Sequence, residues 1–440
     1  MKRFATALCL ALWLCLPAGA EVFPFDYTET KLDNGLTVII LPRDTPDTVA
    51  LQMVMRVGSR NEVEPGRSGF AHFFEHLMFR GTPRFPPEKA QDMLKRAGVA
   101  GNAWTWDDQT TYHKVFTKGD LEQILDYEAD RFQNLQFSPE DFKTESLAVL
   151  GEYNKNSSNP TEKMYEVLQA KAFDKHTYEH TTMGFLEDIK NFPNLYDYSQ
   201  TFFARYYRPE YAVLVLVGDL EVEPTLTLVK KYFGPWKAGD YAPTIPTEPA
   251  QTAPREASIA WDSPTLPWLM VGYKSPPFSN LRQTAAMQVI EALAFSENSA
   301  LYKKLMLDDQ SVDKFEPFFW QKRDPFLVGM AVRVKDPARF DEVRNEVLAA
   351  FEGLPKLEVS QPKLEAVKSR LKYEYALSLD SPQAIATSLA WFVSLEPDPQ
   401  IINRYYQAVE DLTLQDLQEV ASQHFVPAQR TVVTLKEKKS

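Results

Sequence analysis

Beyond residue 20 the 440-residue chain contains no cysteine; its only two, Cys9 and Cys15, fall in the N-terminal segment. Disulfides and thiolate-bound metals are therefore excluded from the rest of the chain. Nor does any apolar run beyond that segment approach the length that spans a bilayer, and there is no polar low-complexity tract. Basic residues are in deficit, 48 Lys and Arg against 60 Asp and Glu, which leaves a net charge of −12 and a pI near 5.2. A field of that sign repels phosphate backbones, so nucleic acid is disfavoured as a partner and cationic or neutral ligands are favoured.

What is there begins with MKRFATALCLALWLCLPAGA, which reads as a secretory signal peptide. Lys2 and Arg3 precede an apolar run from Phe4 to Leu16, and Ala18-Gly19-Ala20 is a small-residue cleavage site, with the cut expected after Ala20. The run is short for a membrane anchor, and bulky Leu14 before Cys15 makes a poor lipidation site. Loss of Lys2 and Arg3 with this segment takes the formal charge from −12 to −14. The mature chain is expected in the periplasm or outside the cell, without stable membrane insertion. Its 44% hydrophobic and 25% charged composition is that of a folded protein with room for two or three domains.

Alternating Leu36, Val38 and Ile40 after Asn34-Gly35 predict a hairpin over 30–44. VALQMVMRVGSRNE (49–62) predicts a second strand. FPPEKAQDMLKRAG (85–98), with prolines in its first turn and a glycine stop, predicts a helix. NAWTWDDQTTYHKVF (102–116), rich in Thr and aromatics, predicts a strand, and two long helical patterns follow around 119–135 and 138–155. YAVLVLVGD (211–219) is apolar without alternation, as in a strand buried on both faces. The Pro/Thr-rich stretch 241–256 has little to bury and reads as a linker. Across it the chain repeats weakly: RYYRPEYAVLVLV around Pro209 is echoed by SQHFVPAQRTVVTL around Pro427, an offset of 218. Two similar α+β halves are expected, 21–240 and 257–440, each an α/β sandwich of a mixed or antiparallel sheet with helices on one face.

One pattern occurs twice: HFFEH at 72–76 and HTYEH at 176–180. Histidines at i and i+4 on a helix share one face, so both imidazoles reach one ion, and a glutamate at i+3 shares that face. Phe70, Ala71, Phe73, Phe74, Leu77, Met78 and Phe79 make the surroundings of the first motif an apolar helix that stops at Gly81. Polar groups in such a wall are costly unless they bind something. The second motif lies in DKHTYEHTTMG, whose threonines and terminal glycine predict a solvated loop. Catalytic zinc also needs a third protein ligand. Glu152 follows His76 by 76 residues on the helical pattern KTESLAVLGEYNKN, with Glu145 two turns earlier on the same face. Glu256 follows His180 by the same interval, but it falls in the linker. The first motif is the candidate site.

HFFEH with LMFRGT, Glu145 and Glu152 resembles the inverted-motif zinc metallopeptidases, the family of pitrilysin, insulin-degrading enzyme and mitochondrial processing peptidase, and among them the smaller two-domain bacterial zinc peptidases. Supporting segments run along most of the mature chain: NGLTVIILPRD, GNAWTWDDQTTYH, KHTYEHTTMGFLEDI, YYRPEYAVLVLVGDL with KKYFGPW, and SALYKKL. The resemblance implies one Zn²⁺ per chain held by His72, His76 and Glu152, with water in the fourth position. Glu75 would be the general base that takes a proton from that water and passes it to the leaving amine. Glu145 would orient the site. Asn102, Ala103 and Trp104 match the edge strand on which peptide substrate is added as a β-strand. Trp104 then lines the pocket just past the scissile bond, or simply packs within its strand. The HTYEH segment matches one that holds no metal.

At the offset of 218, Ile290, Leu293 and Ala294 stand in place of His72, Glu75 and His76, so the second half is expected to be catalytically silent. The family's second half usually carries an Arg and a Tyr seven apart that grip substrate. The best alignment of SALYKKLMLDDQSVDKFEP puts Met306 and Asp313 there. The chain is accordingly expected to be the zinc-bearing subunit of a heterodimer whose related partner supplies the pair, in preference to a homodimer. The activity implied is that of a zinc endopeptidase acting on peptides or unfolded segments. The alternatives are a non-catalytic peptide-binding or scaffold subunit, and a structural zinc, which would want four protein ligands.

Overall fold

The computed structural model describes residues 21–438; the segment 1–20, read above as a signal peptide, lies outside the described residues. The first half builds a six-stranded sheet from β1 (Thr28–Lys31), β2 (Thr37–Pro42), β3 (Val49–Met55), β4 (Ala100–Thr105), β5 (Thr110–Phe116) and β6 (Ala212–Gly218). Its order is β1-β2-β6-β3-β5-β4, antiparallel except where β2 runs parallel to β6. Asn34-Gly35 sits in the β1–β2 loop as expected, with Gly35 at φ +94° and the Asn34 side chain accepting from Leu36 N. Every residue of β3 and β6 is buried, which accounts for their unbroken apolar sequences.

NAWTWDDQTTYHKVF is two strands rather than one. β4 and β5 form a hairpin closed at Thr105↔Thr110, and the turn between them begins with Trp106 N donating to Gln109 O. The hairpin puts β4 at the edge of the sheet, with one side of its backbone unpaired. The helices that matter for the site are α1 (Phe70–Leu77), α2 (Pro87–Arg96), α3 (Leu121–Asn134), α4 (Pro139–Asn156) and α5 (Pro160–Ala172).

The second half repeats the plan with β7 (Arg255–Trp261), β8 (Trp268–Lys274), β9 (Val312–Phe319), β10 (Leu327–Val334) and β11 (Arg430–Glu437). The order β7-β11-β8-β10-β9 matches β2-β6-β3-β5-β4 strand for strand, including the one parallel pair, β7 with β11. Its helices include α6 (Leu281–Ala294), α7 (Gln361–Ser378) and α8 (Pro382–Leu395). Between the halves, 236–254 contains neither helix nor strand. β7 begins at Arg255, so Glu256 stands on a strand, where it pairs with Arg344.

Each sheet carries its own half's helices on one face and a helix from the other half on the opposite face. Met164, Leu168 and Ala172 of α5 pack with Trp268, Met270 and Val433 of the second sheet. Reciprocally, Ile385, Leu389 and Val393 of α8 pack in one core with Ala50, Val54 and Val215 of the first. The two halves are thus interlocked by an exchange of apolar helices, which fixes how the second half sits beside the site on the first.

Candidate metal centre

The HFFEH helix is α1, and its apolar residues face the first core: Phe70, Ala71, Phe73, Phe74 and Leu77 are buried. Its N-terminus is prepared by two neighbours. Gly69 adopts φ +89°, and a Cβ there would lie 2.5 Å from Met183 O. Glu62, fully buried, accepts from Gly69 N at 2.6 Å and Ala71 N at 2.7 Å, a carboxylate on the first turn where helix amides lack partners. His72, Glu75 and His76 lie on the remaining stripe, and the two imidazole rings are 4.9 Å apart.

Helix α4 faces this stripe. A capping box of Ser138 and Asp141 and Pro139 in the first turn start it, and the seven-residue interval puts Glu145 and Glu152 on one side. Glu152 Oε2 is 3.4 Å from His76 Nε2 and 3.7 Å from His72 Nε2. Glu145 Oε2 is 3.3 Å from His76 Nδ1, and Arg80 binds the other oxygen of that carboxylate. Glu75 accepts a hydrogen bond of 2.7 Å from the Thr105 hydroxyl at the end of β4.

Two nitrogens and one carboxylate oxygen, all within 4.8 Å of one another, form a group able to hold a metal ion. The fit to zinc is geometric and electrostatic. Ligand bonds of about 2.0–2.1 Å at tetrahedral angles place donor atoms about 3.3–3.4 Å apart, and the two His–Glu152 separations lie close to that. Burial pushes His72 down to about 4, with His76 beside it acting the same way, so its ring is the neutral form that ligates metal. A hydrogen bond from His76, together with the two histidines, holds Glu152 below its ordinary range and keeps it anionic. Glu145 at Nδ1 of His76 leaves Nε2 free to ligate. Burial raises Glu75, and the Thr105 hydrogen bond partly offsets this. A carboxylate moved up from its usual range is a better proton acceptor near neutral pH.

The structure therefore brings His72, His76, Glu152, Glu75 and Glu145 together, and places the edge strand beside them through Thr105. On β4, Asn102 is exposed, Ala103 is buried and Trp104 is half-buried with its ring 5.1 Å from that of His113 on β5. Residues beyond the motif also serve the site: Thr105 on Glu75, Arg80 on Glu145 and Glu62 under the helix. Arg80 stands one turn past His76 and Thr105 directly follows Trp104, so position along the chain was the available signal.

The second pentapeptide is not the solvated loop its composition suggests. Residues Thr177–Glu179 form one 3-10 turn, and His176 and His180 are 2% and 3% exposed. His176 Nδ1 accepts from Tyr178 N, its Nε2 faces Asp324 at 3.1 Å, and His180 Nε2 lies 3.8 Å from Glu62. The segment follows the end of α5 at Ala172, and the second half and the α1 cap cover it. Glu256, on β7, is paired with Arg344.

Residues 38–185 match the insulinase family, peptidase family M16, and residues 195–371 match the domain described as the peptidase M16 inactive domain. The chain is 30% identical over 452 residues to the zinc protease PqqE of Helicobacter pylori, covering 99% of this chain and 100% of the relative. This chain belongs to peptidase family M16. It is also 26% identical to the mitochondrial-processing peptidase subunit beta of Caenorhabditis elegans, across 93% of this chain and 89% of that one. The crystal structure of a protease from Helicobacter pylori superimposes with a TM-score of 0.87 at 28% identity, over 94% of this chain and 99% of the other. The two similar halves of this chain are thus an M16 fold.

Proposed function

We propose that this chain is a zinc-dependent endopeptidase that hydrolyses peptides or unfolded protein segments in the periplasm. The observation that carries the reading is the convergence of His72, His76 and Glu152 on one point, with Glu75 beside them and held by Thr105. A bound zinc ion supplies the Lewis acidity that makes water a competent nucleophile near neutral pH and polarises the scissile carbonyl. Glu75 takes the proton of the attacking water on its carboxylate and delivers it to the departing amine nitrogen. Glu145 and Arg80 keep the His76 ring in one orientation. The free side of β4 offers backbone groups to an extended peptide, which supports Asn102, Ala103 and Trp104 as its docking strand. A scaffold protein has no need of the four-residue set, which disfavours the non-catalytic reading. The export reading rests on the signal-peptide sequence; among the described residues no helix is long and apolar enough to cross a membrane.

The partner is part of the proposal. Asp313 is engaged by Arg333 through two hydrogen bonds of 2.8 Å, and Met306 packs against the second core. Neither can grip a peptide as an Arg and a Tyr would, so a related chain carrying that pair completes the site. Tyr302 and Arg370 line the same cavity as Met306 and Asp313, and a homodimer drawing on them is the second reading. The test is hydrolysis of a quenched fluorescent peptide by the purified chain, alone and with a related partner. Weak, chelator-sensitive cleavage that zinc restores and the partner strengthens supports the proposal; full activity from a monomer removes the need for any partner.

A further inference from the structure

The HTYEH segment bridges the two halves at the turn between β4 and β5, which follows the hydroxyl donor to Glu75. Tyr178 OH donates to Asp108 Oδ1 at 2.6 Å, and Thr177 Oγ1 donates to Arg60 O at 2.7 Å. His176 and Arg60 both hold Asp324 of the second half, at 3.1 and 2.5 Å. Asp107 and Asp108 occupy the β4–β5 turn. Asp107 accepts from Ser59 Oγ at 3.1 Å and from Lys322 Nζ, and Asp108 accepts from Arg323 N at 2.9 Å. Lys322 is 2% exposed, and its ammonium lies 4.8 Å over the ring of Trp106. Gly58 lets the turn close down, since a Cβ there would lie 2.2 Å from Trp106 O. The residue before Trp106 is Thr105, the donor to Glu75.

We propose that this clasp positions the general base: the second half, through the buried Lys322–Asp107 pair, fixes the β4–β5 turn and so holds the Thr105 hydroxyl on Glu75. Lys322, Asp107 and Thr105 are then positioning residues, and the silent half has a part in the reaction. A buried ion pair is suited to this because separating it leaves an uncompensated charge, so the turn has one favoured place. One oxygen of Glu75 is tied by Thr105, which leaves the other to receive the proton. The inference rests on Glu75 being the base.

The test uses the full-length exported chain, with its partner where activity needs one. K322Q is expected to lower kcat roughly 10- to 100-fold while KM and zinc content stay as in the wild type. The double variant D107N/K322Q, which restores a neutral hydrogen-bonded pair, is expected to recover most of the rate. T105V should reproduce the loss and T105S should not. A T105V enzyme with wild-type kcat overturns the proposal, as does a K322Q loss fully explained by less folded, zinc-loaded protein. Should the wild type cleave nothing, the function assigned above fails, and crystal structures of wild type and K322Q decide the positioning claim by themselves. Thr105 on Glu75 in the first and displaced in the second supports it; an unmoved Thr105 contradicts it.

Discussion

Glu145 Oε2 stands 3.3 Å from His76 Nδ1 while Arg80 binds the other oxygen of the same carboxylate. The carboxylate thus fixes one ring nitrogen and leaves the other free to ligate. E145Q keeps a hydrogen-bonding oxygen but loses the charge that Arg80 and the imidazole both use. Its zinc affinity is expected to fall about 10- to 100-fold, measured by competition with a chelator of known affinity, while its circular dichroism spectrum stays that of the wild type.

The two pentapeptides separate by metal content. H72A and H76A should each purify with little or no zinc. H176A and H180A should keep the wild-type zinc content and instead lose stability. H176A takes a neighbour from the half-buried Asp324 and H180A takes one from the buried Glu62, a cost of about 1–3 kcal/mol. Metal analysis with thermal unfolding reads both effects; zinc loss in H180A at unchanged stability would show that the second motif was misjudged.

Helix α6, where the repeat puts Ile290, Leu293 and Ala294 opposite the metal motif, carries one partly buried acid, Glu291. Burial alone pushes its carboxyl from 4.5 up to about 7. A raised folded-state value contributes stability that is complete below about 4.5 and is lost as pH rises through about 7. E291Q lacks this dependence. The wild type should therefore lose thermal stability relative to E291Q between pH 4.5 and 7, and a constant difference across that range would contradict the assignment.

How much was legible in the sequence followed the range of the interactions involved. The β1–β2 hairpin rests on Asn34-Gly35 and alternation, both local, and it is where the sequence puts it. The clustering of His72, Glu75, His76, Glu145 and Glu152 was legible because helix geometry turns these spacings into shared faces. The β4–β5 turn was not. Trp-Asp-Asp-Gln has no glycine to announce a reversal, and its two aspartates are fixed by Lys322 and Arg323, more than 200 residues away. A separation of 148 residues, from His176 to Asp324, hid the burial of HTYEH, whose polar composition suits water until the second half covers it. Glu256 illustrates the linker's limit: β7 starts within a stretch whose prolines suggested none.

The most direct test of the account compares E75Q with the wild type in one preparation series, measuring bound zinc and cleavage of a quenched peptide. Equal zinc, one ion per chain, and a rate lower by about 10²- to 10⁴-fold in E75Q are expected. E75Q protein that retains its zinc and cleaves at the wild-type rate would contradict the account.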